Sequence, residues 1–129
     1  MSFINDVAES LIAHGENEKA GILLRDSRGW LPVETFPLDY TSVRQIDLLL
    51  ELGEEALALE MAESISAQTA AALKKISESN ARNIFDMKIN LLTLSNLIEV
   101  LEKHNIVQLA EICQQYYKEY ANLTDERFE

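Results

Sequence analysis

His14, His104 and Cys113 are the side chains of this 129-residue sequence with the most chemistry to offer. Imidazole exchanges protons near neutral pH, and a thiolate attacks electrophiles. Their surroundings argue for structural roles. A paired metal centre in a helical bundle needs a carboxylate three residues before a histidine on two helices, and Leu11 and Leu101 hold those places here. A zinc-protease helix needs two histidines four apart, a spacing the sequence lacks. Each histidine directly precedes an expected helix end, where its cationic form meets the negative end of the helix dipole. Cys113, beside Ala110 and Ile112, reads as a small core residue. There is no glycine-rich phosphate loop and no Asp-x-Asp pair of the metal–sugar-nucleotide kind. The expectation is a chain with no catalytic residue, no cofactor and no metal. The alternative is a stand-alone helical bundle that binds a ligand or acts as an enzyme through Cys113 and a histidine converging on one pocket.

The residues suited to binding are of two kinds. Glu51, Glu54, Glu55, Glu60 and Glu63 are dense enough to receive a basic peptide, although Glu54 and Glu55 also suit the first turn of a helix. Trp30, Tyr40, Tyr116 and Tyr120 are the candidate interaction surface. Tyr116 and Tyr120 share a helical face, while Tyr117 points about 100° away, so one subset closes the core and the other caps the terminal hairpin. Trp30 is either a loop anchor or an exposed recognition residue.

The formal net charge of -11, from 22 acidic and 11 basic residues, repels phosphate backbones and anionic headgroups and argues against nucleic acid as a partner. Lys74-Lys75 is the one adjacent basic pair, and acids surround it. The single cysteine excludes an intramolecular disulfide. No stretch approaches the roughly 20 apolar residues that span a bilayer, and the start Met1-Ser2-Phe3-Ile4-Asn5-Asp6 lacks the pattern of a signal peptide. The segment is expected to be soluble, with no direct membrane insertion.

Helix is the expected class. Only 4 Gly and 2 Pro occur, and 47% of residues are hydrophobic, which suits one helical domain over 1–129. Ile4, Val7, Ala8, Leu11 and Ile12 form one helical stripe ending near His14-Gly15. A second helix from Asn17 carries Ala20, Ile22, Leu23 and Leu24 and stops before Gly29. Prolines 32 and 37 make an extended connection over 28–39. Thr41 or Ser42 is the expected N-cap of the next helix, which bears Leu48, Leu49 and Leu52 and breaks at Gly53. Ala56, Leu59 and Ala62 repeat after the break, with Ala58 and Ala62 on one stripe, in a long helix to about Ser77. Asn83 to Lys103 carries Ile84, Met87, Leu91, Leu94, Ile98 and Leu101. After Asn105 a last helix runs to about Asn122, and 124–129 is expected to fray. The hairpins are thus about 3–27, 40–78 and 81–122.

One phrase recurs at the bends: Gly15 with Ala20, Gly53 with Ala58, Asn105 with Ala110. A residue tolerant of left-handed geometry, then a small residue one turn into the next helix, is what a tightly packed hairpin needs. Ala62 adds a second small residue to the packing stripe. The tetratricopeptide repeat carries this phrase at a period near 34 residues with a closing proline, here Pro32. The early tryptophan of that repeat is missing. The expected fold is all-α, three antiparallel hairpins in a right-handed tetratricopeptide-like superhelix.

Taken together, Ile4 to Leu24 (with Ala8-Glu9-Ser10-Leu11-Ile12 and Gly15-x-x-x-Lys19-Ala20) and Pro37-Leu38-Asp39-Tyr40 before a helix ending at Gly53 resemble a known helical-repeat region. It is the C-terminal region of a multipass membrane protein family, mainly from Bacteroidetes, whose membrane part is similar to protein O-mannosyltransferases. The resemblance covers nearly the whole chain. It implies a non-catalytic interaction module, the soluble tail of a glycosyltransferase-like protein, tethered to the bacterial inner membrane on the periplasmic side. Its partner would be a protein or peptide, or the membrane domain of the same polypeptide. The family's glycosyl-transfer residues lie in the membrane part, so none is carried over.

Overall fold

The computed structural model describes residues 2–28, 40–78 and 84–128. Within them the chain is all helical, with no strand: α1 (Ser2–Ala13), α2 (Asn17–Arg28), α3 (Tyr40–Glu51), α4 (Glu55–Glu78), α5 (Ile84–Lys103) and α6 (Val107–Phe128). Trp30 and the expected connection beyond Arg28 lie outside the described residues.

Three of the helix junctions are built alike. Gly15 (φ +76°), Gly53 (φ +78°) and Asn105 (φ +62°) are left-handed, and each closes the same pair of backbone bonds. At the first junction Glu16 N–H donates to Leu11 C=O at 2.8 Å and Gly15 N–H to Ile12 C=O at 3.0 Å. At the second, Glu54 N–H reaches Leu49 C=O (2.9 Å) and Gly53 N–H reaches Leu50 C=O (3.2 Å). At the third, Ile106 N–H reaches Leu101 C=O (2.8 Å) and Asn105 N–H reaches Glu102 C=O (3.1 Å). This is the Schellman arrangement, which satisfies carbonyls that the end of a helix leaves bare. The residue that completes it also opens the next helix: the carbonyls of Glu16, Glu54 and Ile106 accept from Ala20, Ala58 and Ala110 N–H at 3.1, 3.0 and 3.3 Å. All three alanines are buried, as is Ala62. A methyl in the first turn of the returning helix leaves little standing between two axes.

The chain divides into two compact units, Met1–Ser64 and Ile65–Glu129, with the division inside α4. In the first unit α1 packs against α2 and α3, and α2 also touches α3. Ala8, Ala20, Leu24, Val43, Ile46, Leu48, Leu49, Ala58, Met61 and Ala62 are its buried apolar residues. The middle of α3 is buried on more than one face, since Val43, Gln45, Ile46, Asp47, Leu48 and Leu49 are all interior. In the second unit α5 packs along α6, burying Met87, Leu91, Leu94, Leu97, Leu101, Leu109, Ala110 and Cys113. Ile65, Ala70 and Leu73 of α4 are interior as well.

Several local expectations need correction. The helix of α3 opens at Tyr40, ahead of the expected N-cap, so Thr41 and Ser42 lie in its first turn; Ser42 Oγ is buried with no hydrogen-bond partner among the described residues. α6 runs to Phe128, with no glycine or proline between Leu123 and Phe128 to stop it. Ile22 and Ala56, placed on packing stripes by periodicity, are exposed.

The left-handed positions make a direct test. Gly15→Ala and Gly53→Ala are each expected to destabilise the fold by about 1 kcal/mol, because a Cβ is disfavoured at positive φ even in open space. Gly21 is helical with ordinary φ, and an added Cβ would sit 3.7 Å from Glu54 Oε1, an ordinary contact. Gly21→Ala is therefore expected to stabilise by about 0.5–1 kcal/mol. Urea midpoints of the three variants read both signs; a stabilised Gly53→Ala variant would refute the turn geometry.

Candidate functional site

The concentration of interacting polar groups in the first unit lies where α1 meets α3. Arg44 sits at its centre, about a quarter of its side chain exposed. Its Nε donates to the Glu9 carboxylate across the helix pair, its Nη1 donates to Asp47 Oδ2 at 2.7 Å, and Glu51 stands 4.0 Å from Nη1. Burial works against the guanidinium's charge, but the Glu9 hydrogen bond and the fields of Glu9, Asp47 and Glu51 outweigh it and raise its pKa. Arg44, Asp47 and Glu51 recur at i, i+3 and i+7, one face of α3. Glu9 is the long-range member.

Beneath this pair runs a buried polar chain. Asn5 Nδ2 donates to Thr41 C=O at 2.8 Å, and Gln45 Nε2 reaches Asn5 Oδ1 at 3.4 Å. Gln45 Oε1 is enclosed without a partner among the described residues. Such bonds fix α1 against α3 with a direction that apolar contact alone does not supply.

Two clefts open on this seam. One, of about 310 Å³, is lined by Asn5, Asp6, Glu9, Tyr40, Thr41 and Arg44. The other, of about 190 Å³, is lined by Glu9, Ile12, Ala13, Arg44, Leu48 and Glu51. They share Glu9 and Arg44. Tyr40 is 62% exposed at the start of α3 and forms a wall of the larger one. A further cleft of about 190 Å³ involves Gly21, Arg25, Leu52 and Glu54, where Arg25 Nε lies 3.5 Å from Glu54 Oε1.

The other candidate residues separate by burial. Tyr116 is half-buried. Tyr120, grouped with the interaction surface in the sequence, is interior; desolvation first, and then the fields of Glu119, Glu78 and Tyr116, push its phenol up. His14 is exposed, and its Nδ1 donates to Ser10 C=O at 2.7 Å, so the ring caps the last turn of α1. His104 is partly exposed at the end of α5, in the corresponding position. Cys113 is fully enclosed, and burial pushes its thiol up to about 11 despite a hydrogen bond with Ser66 that acts the other way. That is the reverse of what an attacking thiolate requires. Among the described residues no three His, Cys, Asp or Glu side chains are grouped to hold a metal ion, and no helix is long and apolar enough to cross a membrane.

The sequence reading missed the α1–α3 cluster, because Glu9 and Arg44 are 35 residues apart and no local motif joins them. The available signal was Arg44, Asp47 and Glu51 on one face of an otherwise apolar helix. No family model, no curated protein and no solved structure matches the chain.

The Cys113 environment predicts a pH effect. A thiol held protonated in the fold but free to ionise in the unfolded chain costs stability only at high pH: nothing is lost below its ordinary value near 9, and the loss grows from there to about 11. The urea midpoint of the native chain is expected to fall more between pH 8.5 and 10.5 than that of Cys113→Ala. Parallel curves would refute it. Tyr120 acts in the same direction above its own ordinary range and is common to both proteins.

Proposed function

We propose that this chain is a non-catalytic helical-repeat interaction module, three hairpins stacked as in a tetratricopeptide array, and that it serves as the soluble tail of a glycosyltransferase-like membrane protein. The observation that supports it is the threefold recurrence of one junction, with the left-handed residue, the shared carbonyl and the buried alanine in the same order at Gly15, Gly53 and Asn105. A repeated junction is what an array of hairpins requires, and stacked hairpins present the first helix of each pair as a recognition surface. The α1–α3 clefts lie between two such first helices. The environment of Cys113 favours a scaffold over a thiol enzyme. The tether, its periplasmic side and the parent's sugar-transfer chemistry follow from the resemblance of Ile4–Leu24 and Pro37–Gly53 to that membrane family.

Screening the purified chain against a library of random ten-residue peptides tests the module. Saturable binding with Kd on the order of 10 µM, about -7 kcal/mol, is expected for a subset of sequences. The absence of any saturable peptide would refute it. The tail is tested by the reading frame upstream of Met1, where several hundred codons of apolar segments are expected; a stop codon immediately upstream would overturn it.

A further inference from the structure

We propose that the larger α1–α3 cleft receives the lysine or arginine side chain of an extended partner peptide, held by the Asp6 and Glu9 carboxylates against the ring of Tyr40. This rests on the interaction-module reading and names the chemistry of its partner. Arg44, the cleft's one cation, is engaged by Glu9 and Asp47. Asn5 already donates to Thr41 C=O. The charged groups left to meet an incoming ligand are acceptors: the Asp6 carboxylate and the second oxygen of Glu9. Asp6 is exposed at the cleft wall. An anion entering here would face two carboxylates with the guanidinium turned to its own partners, whereas a cation finds complementary charge.

The aromatic wall selects the same ligand independently of the acids. Tyr40 lines the cleft with most of its surface in solvent, and the electron-rich face of a phenol attracts ammonium and guanidinium groups. A side chain with an aliphatic stem and a charged head matches a cleft with one aromatic wall and carboxylates beside it. At longer range the net charge of -11 draws cationic segments in and speeds their encounter.

The test uses the full chain and a fluorescein-labelled ten-residue peptide alternating Ala with Lys, its norleucine analogue as the neutral control, read by anisotropy. Saturable binding of the lysine peptide alone is expected, weakening at least threefold between 50 and 200 mM salt. Asp6→Asn and Tyr40→Ala should each weaken it about five- to tenfold with unchanged helical circular dichroism. Glu111→Gln, an exposed acid on α6 that removes the same charge elsewhere, should leave it within twofold. Equal losses in Asp6→Asn and Glu111→Gln would mean diffuse charge attraction and overturn the site, as would equal binding of the norleucine peptide. Failure of the lysine peptide while other library peptides bind sinks this cleft and spares the module; failure of all peptides sinks both.

Discussion

A helix that stops inside a compact protein must find donors for its last carbonyls, and in this chain that requirement is met three times by one left-handed residue. At Gly15, Gly53 and Asn105 the backbone turns back on itself and supplies the donors from its own next two N–H groups. At the first bend the His14 ring adds one more donor, its Nδ1 to Ser10 C=O. The chain leaves each turn already committed to the next helix, because the amide that finishes one ladder belongs to the residue whose carbonyl starts the other. The buried alanines follow from this, since a bulkier residue one turn on would push the returning helix away.

Within the first unit, the same economy does not extend to the seam between α1 and α3. There apolar packing is supplemented by a buried amide pair and an arginine held among carboxylates. A buried polar group stabilises little on balance but is costly to misplace, so Asn5, Gln45 and Arg44 define one register of α1 on α3 instead of a range. Arg44 therefore belongs to the scaffold. Its neighbours on the cleft wall, Asp6 and Tyr40, are the groups to which the proposed cation contact is assigned.

The positions of the bends could be read from a glycine or asparagine set between two apolar stripes, since these residues tolerate φ above zero; Gly21, within a stripe, stays helical. Of the core stripe read for α5, Met87, Leu91, Leu94 and Leu101 are interior, while Ile98 is half-buried and Leu97, off the stripe, is enclosed. Elsewhere periodicity ran out. Ala56 and Ile22 sit at helical spacing from buried residues yet face solvent, because spacing gives a face and not the width of what covers it. Tyr120 and Tyr116 share a face and still differ in depth. Asn5 and Asp47, polar and interior, run against every hydropathy rule, and the ion pair of Glu9 with Arg44 exists only once two helices distant in sequence are side by side. Between the bends the described residues are helical, as the scarcity of glycine and proline implied.

The shared residue at each junction leaves no slack there, and that bears on how such a chain can lengthen. α1 and α3 have 12 residues each and α5 has 20, an excess close to two turns of about 3.6 residues. Growth by whole turns at the end remote from the bend keeps the inward side of a helix inward; growth by one or two residues within the bend would rotate everything downstream. The architecture thus tolerates large length variation in one place and almost none in another, and an inserted pair of residues next to Gly53 would do more harm than seven added near residue 84.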